Sequence, residues 1–77
     1  MKIRVDYSAM LQMKGCGHGE EIDVEPSTTA GELLINLGIS KHHTRFIIIK
    51  VNNDTVKESH LLKDGDEVFY LLLAGGG

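Results

Sequence analysis

The 77-residue chain contains only one cysteine, one proline and no tryptophan. The lone Cys16 cannot form an intramolecular disulfide, which fits a reducing compartment. The longest apolar runs, 46–49 and 68–74, are far shorter than the roughly 20 residues that span a bilayer. Charged and apolar residues alternate in the first six positions, where a signal peptide has a continuous apolar stretch. We therefore expect a cytoplasmic protein with no membrane partner.

The chain also lacks a block of basic residues, and its formal net charge is −3. Neutralising a run of phosphates requires clustered lysine and arginine, so we expect no nucleic-acid partner. The hydrophobic fraction of 42% and the charged fraction of 25% are ordinary for a folded protein. This length is enough for one small core, and we predict a single domain over residues 1–77.

Cys16 and His18 lie in a glycine-rich segment, and His42 and His43 form a second histidine group. A structural zinc site needs four ligands, and one cysteine does not supply the usual set. A cysteine–histidine nucleophile needs a rigid hydrogen-bonded pair, for which a glycine-rich loop is a poor platform. We predict no metal site and no bound cofactor.

Alternating apolar residues predict strands over residues 2–6 and about 21–25. Thr29 and Glu32 have the spacing of a capping box, which predicts a helix near Ala30–Leu37 that ends at a left-handed Gly38. The following residues, 41–43, show no apolar periodicity and are predicted to lie on a solvated loop, with no second helix before residue 45.

The second half predicts a strand at Phe46–Val51, an asparagine turn, a brief return strand at Thr55–Val56 and a last strand at Glu67–Leu73. A single amphipathic helix implies packing across one face of a mixed sheet. Six apolar residues are predicted to form the centre of the core: Ile3, Val5, Leu33, Leu34, Ile49 and Val68.

Four segments carry a resemblance to a known family, and each occurs in the family's order along the chain. They are Thr29-Ala30-Gly31-Glu32-Leu33-Leu34, Val51-Asn52-Asn53, Leu62-Lys63-Asp64-Gly65-Asp66-Glu67-Val68 and Ala74-Gly75-Gly76-Gly77. The chain resembles the ubiquitin-like sulfur carriers, which include the small subunit of molybdopterin synthase (MoaD) and the thiamine-pathway carrier (ThiS). The resemblance implies an α+β fold of the β-grasp class, with a mixed sheet of four to five strands and one main helix.

The resemblance also implies a function without catalysis by the chain itself. In this family the carboxylate of the last glycine, here Gly77, is adenylated with ATP and magnesium by a ubiquitin-activating-like (E1-like) enzyme. A sulfur donor, a cysteine desulfurase or a rhodanese-like protein, then supplies the sulfur of a thiocarboxylate. The receiving partner is the large subunit of molybdopterin synthase or thiazole synthase. Since the family usually ends on two glycines, Gly76 is the alternative reactive end, and Gly75 and Gly76 are expected to enter the partner's channel as part of a flexible tail over residues 74–77.

Strand alternation predicts a partner-binding patch on the face opposite the helix. If Ile49 and Val68 face the core, five apolar residues point outward: Phe46, Ile48, Phe69, Leu71 and Leu73.

The long connection from Ser8 to Gly19 favours the molybdopterin branch, because ThiS-like carriers have a tight hairpin there. Gln12, however, replaces the arginine usual in that segment. A carrier for thiamine or for another sulfur transfer, such as tRNA thiolation, stays open. So do a ubiquitin-like protein modifier and a non-catalytic interaction module with an inert tail.

Overall fold

The computed structural model describes residues 1–8, residue 11 and residues 17–72. Its elements follow the predicted order, with one addition after the helix. They are β1 (Lys2–Tyr7), β2 (Glu20–Asp23), α1 (Ala30–Asn36), a 3-10 helix (Lys41–Phe46), β3 (Ile47–Val51), β4 (Asp54–Val56) and β5 (Glu67–Leu72). No helix within the described ranges is long and apolar enough to cross a membrane.

The strands form one mixed sheet in the order β2-β1-β5-β3-β4. β5 is the central strand: it pairs parallel with β1, where Val5 lies beside Val68, and antiparallel with β3, where Ile49 lies beside Tyr70. The sheet carries α1 on one face, so the predicted α+β class with a mixed sheet and one main helix is confirmed.

Both predicted ends of α1 are confirmed. The Thr29 hydroxyl accepts a hydrogen bond from the Glu32 amide, and the Glu32 carboxylate accepts one from the Thr29 amide, each at 3.1 Å. At the other end Gly38 has a φ of 98°, a left-handed angle that suits glycine. The Gly38 amide donates to Ile35 and the Ile39 amide to Leu34, which is the Schellman pattern.

The core lies between α1 and the sheet. All six residues predicted at its centre are buried, and Tyr70 is fully buried with them. Removing each large apolar side chain from water contributes about 1.5–3 kcal/mol. The Tyr70 hydroxyl donates a 2.8 Å hydrogen bond to the Ala30 carbonyl, which ties the central strand to the start of the helix.

The turn between β3 and β4 is also as predicted. Asn52 and Asn53 both have positive φ angles, 52° and 73°. Two consecutive left-handed residues make the tight turn whose twist matches that of antiparallel strands.

The prediction of a loop without a second helix after α1 is wrong, because Lys41–Phe46 forms a 3-10 helix. The Ser40 hydroxyl accepts a hydrogen bond from the His42 amide, and the Thr44 hydroxyl donates one to the Lys41 carbonyl. Thr44 is the single buried residue of this helix, so the segment has no apolar period to reveal it. Phe46 accordingly ends the 3-10 helix rather than beginning β3. The three side chains expected in solvent are exposed there: Lys41, His42 and His43.

Candidate functional site

The last described strand leads directly into the predicted glycine tail. Near its end the Ser8 amide donates to the Tyr70 carbonyl at 3.0 Å, and the Leu72 amide donates to the Ser8 hydroxyl at 3.2 Å. Ser8, the residue that follows β1, therefore holds β5 by hydrogen bonds as far as Leu72, the last residue of that strand. The predicted tail residues and one member of the predicted patch lie outside the described residues: Leu73, Gly75, Gly76 and Gly77.

A hydrogen-bonded network fixes the other end of β5. The buried Asp66 carboxylate accepts from the Asn52 side-chain amide at 3.0 Å and from the Lys63 backbone amide at 2.8 Å. The Asn52 side-chain oxygen in turn accepts from the Glu67 amide at 3.0 Å. The segment around Asp66 was recognisable from the sequence, but its pairing with Asn52 was not. The network holds the turn before β5 against the turn after β3, so both ends of the central strand are anchored.

Among the described residues, the face of the sheet opposite α1 carries three apolar side chains, Ile48, Phe69 and Leu71, which we call the apolar patch. All three are half-buried. Ile48 lies opposite Leu71 in the β3–β5 register, and Lys50 lies opposite Phe69. The structure thus brings together three of the five predicted patch residues.

A concave region of about 400 Å³ lies on this face and includes two residues of the apolar patch. Around Phe69 and Leu71 its wall carries Arg4, Asp6 and Lys50. Asp6 is the parallel neighbour of Phe69. An apolar floor with charges of both signs at its rim fits an apolar side chain of a partner protein surrounded by polar contacts.

Phe46 is not part of the apolar patch, because it is the last residue of the 3-10 helix rather than a residue of β3. It is 37% exposed, and the Arg45 guanidinium carbon lies 5.0 Å from the centre of its ring. A cation over an aromatic face covers part of that ring and contributes about 0.5–1 kcal/mol at an exposed site. Its role in partner binding stays a prediction, as does that of the apolar patch.

His18 packs against β1 rather than against the other histidines. Its ring stacks on Tyr7 with 4.0 Å between centroids, and its Nδ1 donates to the Tyr7 carbonyl at 3.0 Å. Cys16 lies outside the described residues. Within the part of the chain that the structure describes, no three histidine, cysteine or acidic residues are grouped to hold a metal ion.

The shortest ion pair among the described residues joins strands β1 and β2. The Lys2 ammonium lies 2.8 Å from an Asp23 carboxylate oxygen. This hydrogen bond, together with the attraction between the charges, raises the pKa of Lys2 and lowers the pKa of Asp23. Both side chains are solvent-exposed, so the pair contributes little to stability.

Comparison with known proteins relates most of the chain to a known family. A model of the ThiS family matches residues 9–77, a range that includes β5 and the terminal glycines. No curated protein matches the chain.

Three solved structures share the fold over the full length of this chain. They are SAMP1 from Haloferax volcanii (TM-score 0.67, 16% identity, 100% of each chain covered), a complex of subunits 1 and 2 of molybdopterin-converting factor from Helicobacter pylori (0.63, 21%, 100% of each) and the Caldiarchaeum subterraneum ubiquitin (0.65, 20%, 100% of this chain and 98% of that one). Together they identify the architecture as the ubiquitin-like β-grasp, as predicted.

Proposed function

The chain belongs to the ThiS family, and from this premise we propose that it is a sulfur carrier whose C-terminal carboxylate is converted to a thiocarboxylate. One observation carries the proposal: the family match continues from the anchored strand β5 through Gly77. A carrier needs a tail that reaches into another protein's active site and a fixed point from which the tail starts. The Ser8–Leu72 hydrogen bond supports such a fixed point.

The chemistry takes place on the tail and inside partner enzymes. An E1-like enzyme joins the Gly77 carboxylate to the AMP portion of ATP, with release of pyrophosphate. A thiol reduces the persulfide of the donor to sulfide, which then displaces AMP: a C–S bond forms as the C–O bond to AMP breaks, and a thiocarboxylate remains. Ordering each tail residue in a channel costs about 1–2 kcal/mol, which contacts elsewhere on the domain must offset. The apolar patch, beside the strand that leads into the tail, is suited to provide those contacts.

Synthesis of molybdopterin is the pathway we propose, with the chain as the small subunit of the synthase. The long connection between β1 and β2 favours it. The likeness to the molybdopterin-converting factor complex supports the fold of such a subunit and the presence of a large-subunit partner. Transfer of the sulfur to thiazole synthase is the alternative within the same chemistry.

A modifier that forms isopeptide bonds with lysine is the second candidate function. It is favoured by the likeness to SAMP1 from Haloferax volcanii, a small archaeal modifier protein, and to the Caldiarchaeum subterraneum ubiquitin. Both functions begin with the same adenylate, so they differ in what attacks it. Lysine-linked adducts recovered from cells would favour the modifier, and a thiocarboxylate in the purified protein would favour the carrier.

The direct test is intact-mass spectrometry after incubation with ATP, magnesium, a cognate activating enzyme and a sulfur donor. The expected result is the exchange of one C-terminal oxygen for sulfur. Deleting Gly76 and Gly77 should abolish the exchange, because the carboxylate no longer reaches the nucleotide. Deleting Gly77 alone identifies the reactive end: exchange retained or improved assigns it to Gly76.

The matched control is Cys16→Ser, which should leave the exchange unchanged because the thiol has no part in the scheme. Sulfur incorporation by the doubly truncated protein, or its loss in Cys16→Ser, would contradict the proposal. The pathway is tested by adding the thiocarboxylated protein to the molybdopterin synthase large subunit or to thiazole synthase and measuring which product forms.

A further inference from the structure

The chain's negative charge is concentrated in one region. Residues 15–40, which include β2 and α1, hold five carboxylates and no lysine or arginine, although the whole chain has eight such cations. All five acidic side chains are exposed: Glu20, Glu21, Asp23, Glu25 and Glu32. The mild net charge of the whole chain does not reveal this concentration of carboxylates. They lie on or next to the edge strand β2 and on α1.

β2 is an edge strand with backbone groups directed outward. Among the strands that the structure describes, it pairs with β1 alone. The Met1 amino group donates to the Val24 carbonyl and the Val24 amide donates to the Met1 carbonyl, each at 2.8 Å. Hydrogen-bonded pairs alternate along an antiparallel ladder, so Ile22 bonds back to β1. The N–H and C=O groups of Glu21 and Asp23 therefore point away from β1, toward the open edge.

A groove of about 310 Å³ runs beside this edge, between β2 and α1. Ile22, Val24, Leu33 and Leu37 make its apolar wall, and Asn36 lies at the helix side. Ile22 is half-buried and packs against the core, so part of its surface is available to an incoming side chain.

We propose that the β2 edge and this groove bind an extended, basic segment of a partner protein, added antiparallel to β2 as a sixth strand. Residues facing each other across a sheet share a face. Partner residues opposite Glu21 and Asp23 therefore lie beside their carboxylates, where lysine or arginine fits. The partner residue between them, opposite Ile22, lies over the groove, where an apolar side chain fits. The recognised pattern is thus basic, apolar, basic.

The charges distinguish this occupant from a second copy of the chain. Two β2 edges paired with each other would place carboxylates against carboxylates, and like charges directly opposite are destabilising. Lys2 and Arg4 of β1 already contact Asp23 and Glu21, at 2.8 Å and 3.9 Å. Those carboxylate side chains nevertheless remain 79% and 51% exposed, so a basic partner still reaches them.

This surface is separate from the proposed sulfur-transfer site. β1 lies between β2 and the central strand β5 that leads into the tail. A partner on the β2 edge would leave the apolar patch uncovered, so the protein could be held at one edge while its tail is in another active site.

The first experiment uses the full chain and a fluorescein-labelled seven-residue peptide of alternating valine and lysine. Fluorescence anisotropy is expected to show saturable binding that weakens with added salt. In antiparallel pairing the lysine amides face β2, so N-methylation of the lysines should abolish binding while N-methylation of the valines should not. Equal binding by the two methylated peptides would overturn strand addition, because the peptides differ only in which backbone donors are blocked.

The second experiment compares charge reversal at the two edges of the sheet. Asp23→Lys should weaken binding roughly tenfold, since it replaces an attraction across the strand pair by a repulsion. The control is Asp54→Lys, the same change at an exposed position of edge strand β4. Equal weakening by both variants would overturn the proposal. Amide chemical shifts of the unaltered protein give a check independent of any variant: movement of the Glu21, Asp23 and Asn36 signals supports it, and movement confined to Lys50 and Phe69 refutes it.

Discussion

The Ser8 hydroxyl oxygen lies 3.2 Å from the Leu72 backbone nitrogen and accepts its hydrogen bond. The Ser8 backbone amide is also committed, to the Tyr70 carbonyl. Ser8, which directly follows β1, therefore holds the end of the central strand by both its side chain and its backbone. This end of the strand is the one that precedes the predicted tail.

Ser8→Ala removes the acceptor for the Leu72 amide without removing the backbone bond to Tyr70. We expect the free energy of unfolding to fall by about 1 kcal/mol, the usual net value of one such bond. Hydrogen exchange at the Leu72 amide should accelerate more than exchange at Tyr70. Ser59→Ala, at an exposed position, is the control for denaturant titrations. Unchanged exchange at Leu72 would mean that the Ser8 side chain does not hold the strand end.

Phe69→Asp replaces the aromatic member of the apolar patch. It should weaken binding to the proposed activating enzyme roughly tenfold or more, as loss of an aromatic interface contact does. Phe69 faces away from α1 and Lys50 lies opposite, so the fold should persist. Phe46→Asp should weaken binding in the same direction, and the exposed Thr55→Asp should not. Affinity is measured by calorimetry and folding by circular dichroism; unfolding by both phenylalanine variants would mean that these side chains belong to the core.

Asp66→Ala tests the network that starts β5. It leaves the Asn52 side-chain amide and the Lys63 amide without their acceptor, so the unfolding free energy should fall by about 2–3 kcal/mol. Asp54→Ala, which removes an exposed carboxylate from β4, should change it by less than about 0.5 kcal/mol. Similar losses in the two variants would show that the Asp66 hydrogen bonds contribute nothing specific.

Gly31→Ala should destabilise the protein although alanine favours helices by about 1 kcal/mol over glycine. A Cβ atom at this position would lie 2.8 Å from the Glu58 Cβ and 3.2 Å from the Glu58 carbonyl oxygen. We expect a net loss of about 1–2 kcal/mol in chemical denaturation. In the Glu58→Gly background the loss should be smaller, because the contacts with the Glu58 side chain are gone and only the contact with its carbonyl oxygen remains. A stabilised Gly31→Ala protein would show that the segment before residue 60 moves away freely.

The Lys2–Asp23 pair should be visible in a pH titration by NMR. The hydrogen bond from Lys2 lowers the pKa of Asp23 below its ordinary 3.8. The Asp23 contribution to stability is therefore present above pH 3.8 and is lost as the pH falls through the lowered pKa. Lys2→Met should return the Asp23 pKa toward 3.8, whereas Lys57→Met, beyond β4, should not move it. An Asp23 pKa that is the same in all three proteins would contradict the pairing.

Features that depend on neighbouring residues were predictable from the sequence. The capping box of Thr29 and Glu32 is local, and so is the left-handed turn at Asn52 and Asn53. The burial of Ile49 and Val68 follows from alternation, because a strand with one face on a core repeats every two residues.

Features that depend on distant residues or lack a periodic pattern were not predictable. Asn52 and Asp66 are 14 residues apart, and their contact exists only once β3 and β5 are paired. The 3-10 helix rests on side-chain hydrogen bonds of Ser40 and Thr44 rather than on an apolar face. The apolar pattern of β3 likewise includes Phe46, one residue before the strand begins in the structure.

The position of β5 between β1 and β3 has a consequence for biosynthesis. Arg4 pairs with Glu67, 63 residues further along the chain, so the sheet lacks its middle until β5 has left the ribosome. Before β5 is present, no strand pairs with both β1 and β3, and the apolar faces of these two strands have no complete core to pack against. Such distant pairing makes folding slow and leaves the nascent chain exposed to aggregation. Folding is thereby delayed until β5 has been synthesised, and a truncated chain that lacks β5 would be a substrate for proteolysis rather than a competitor for the proposed partners.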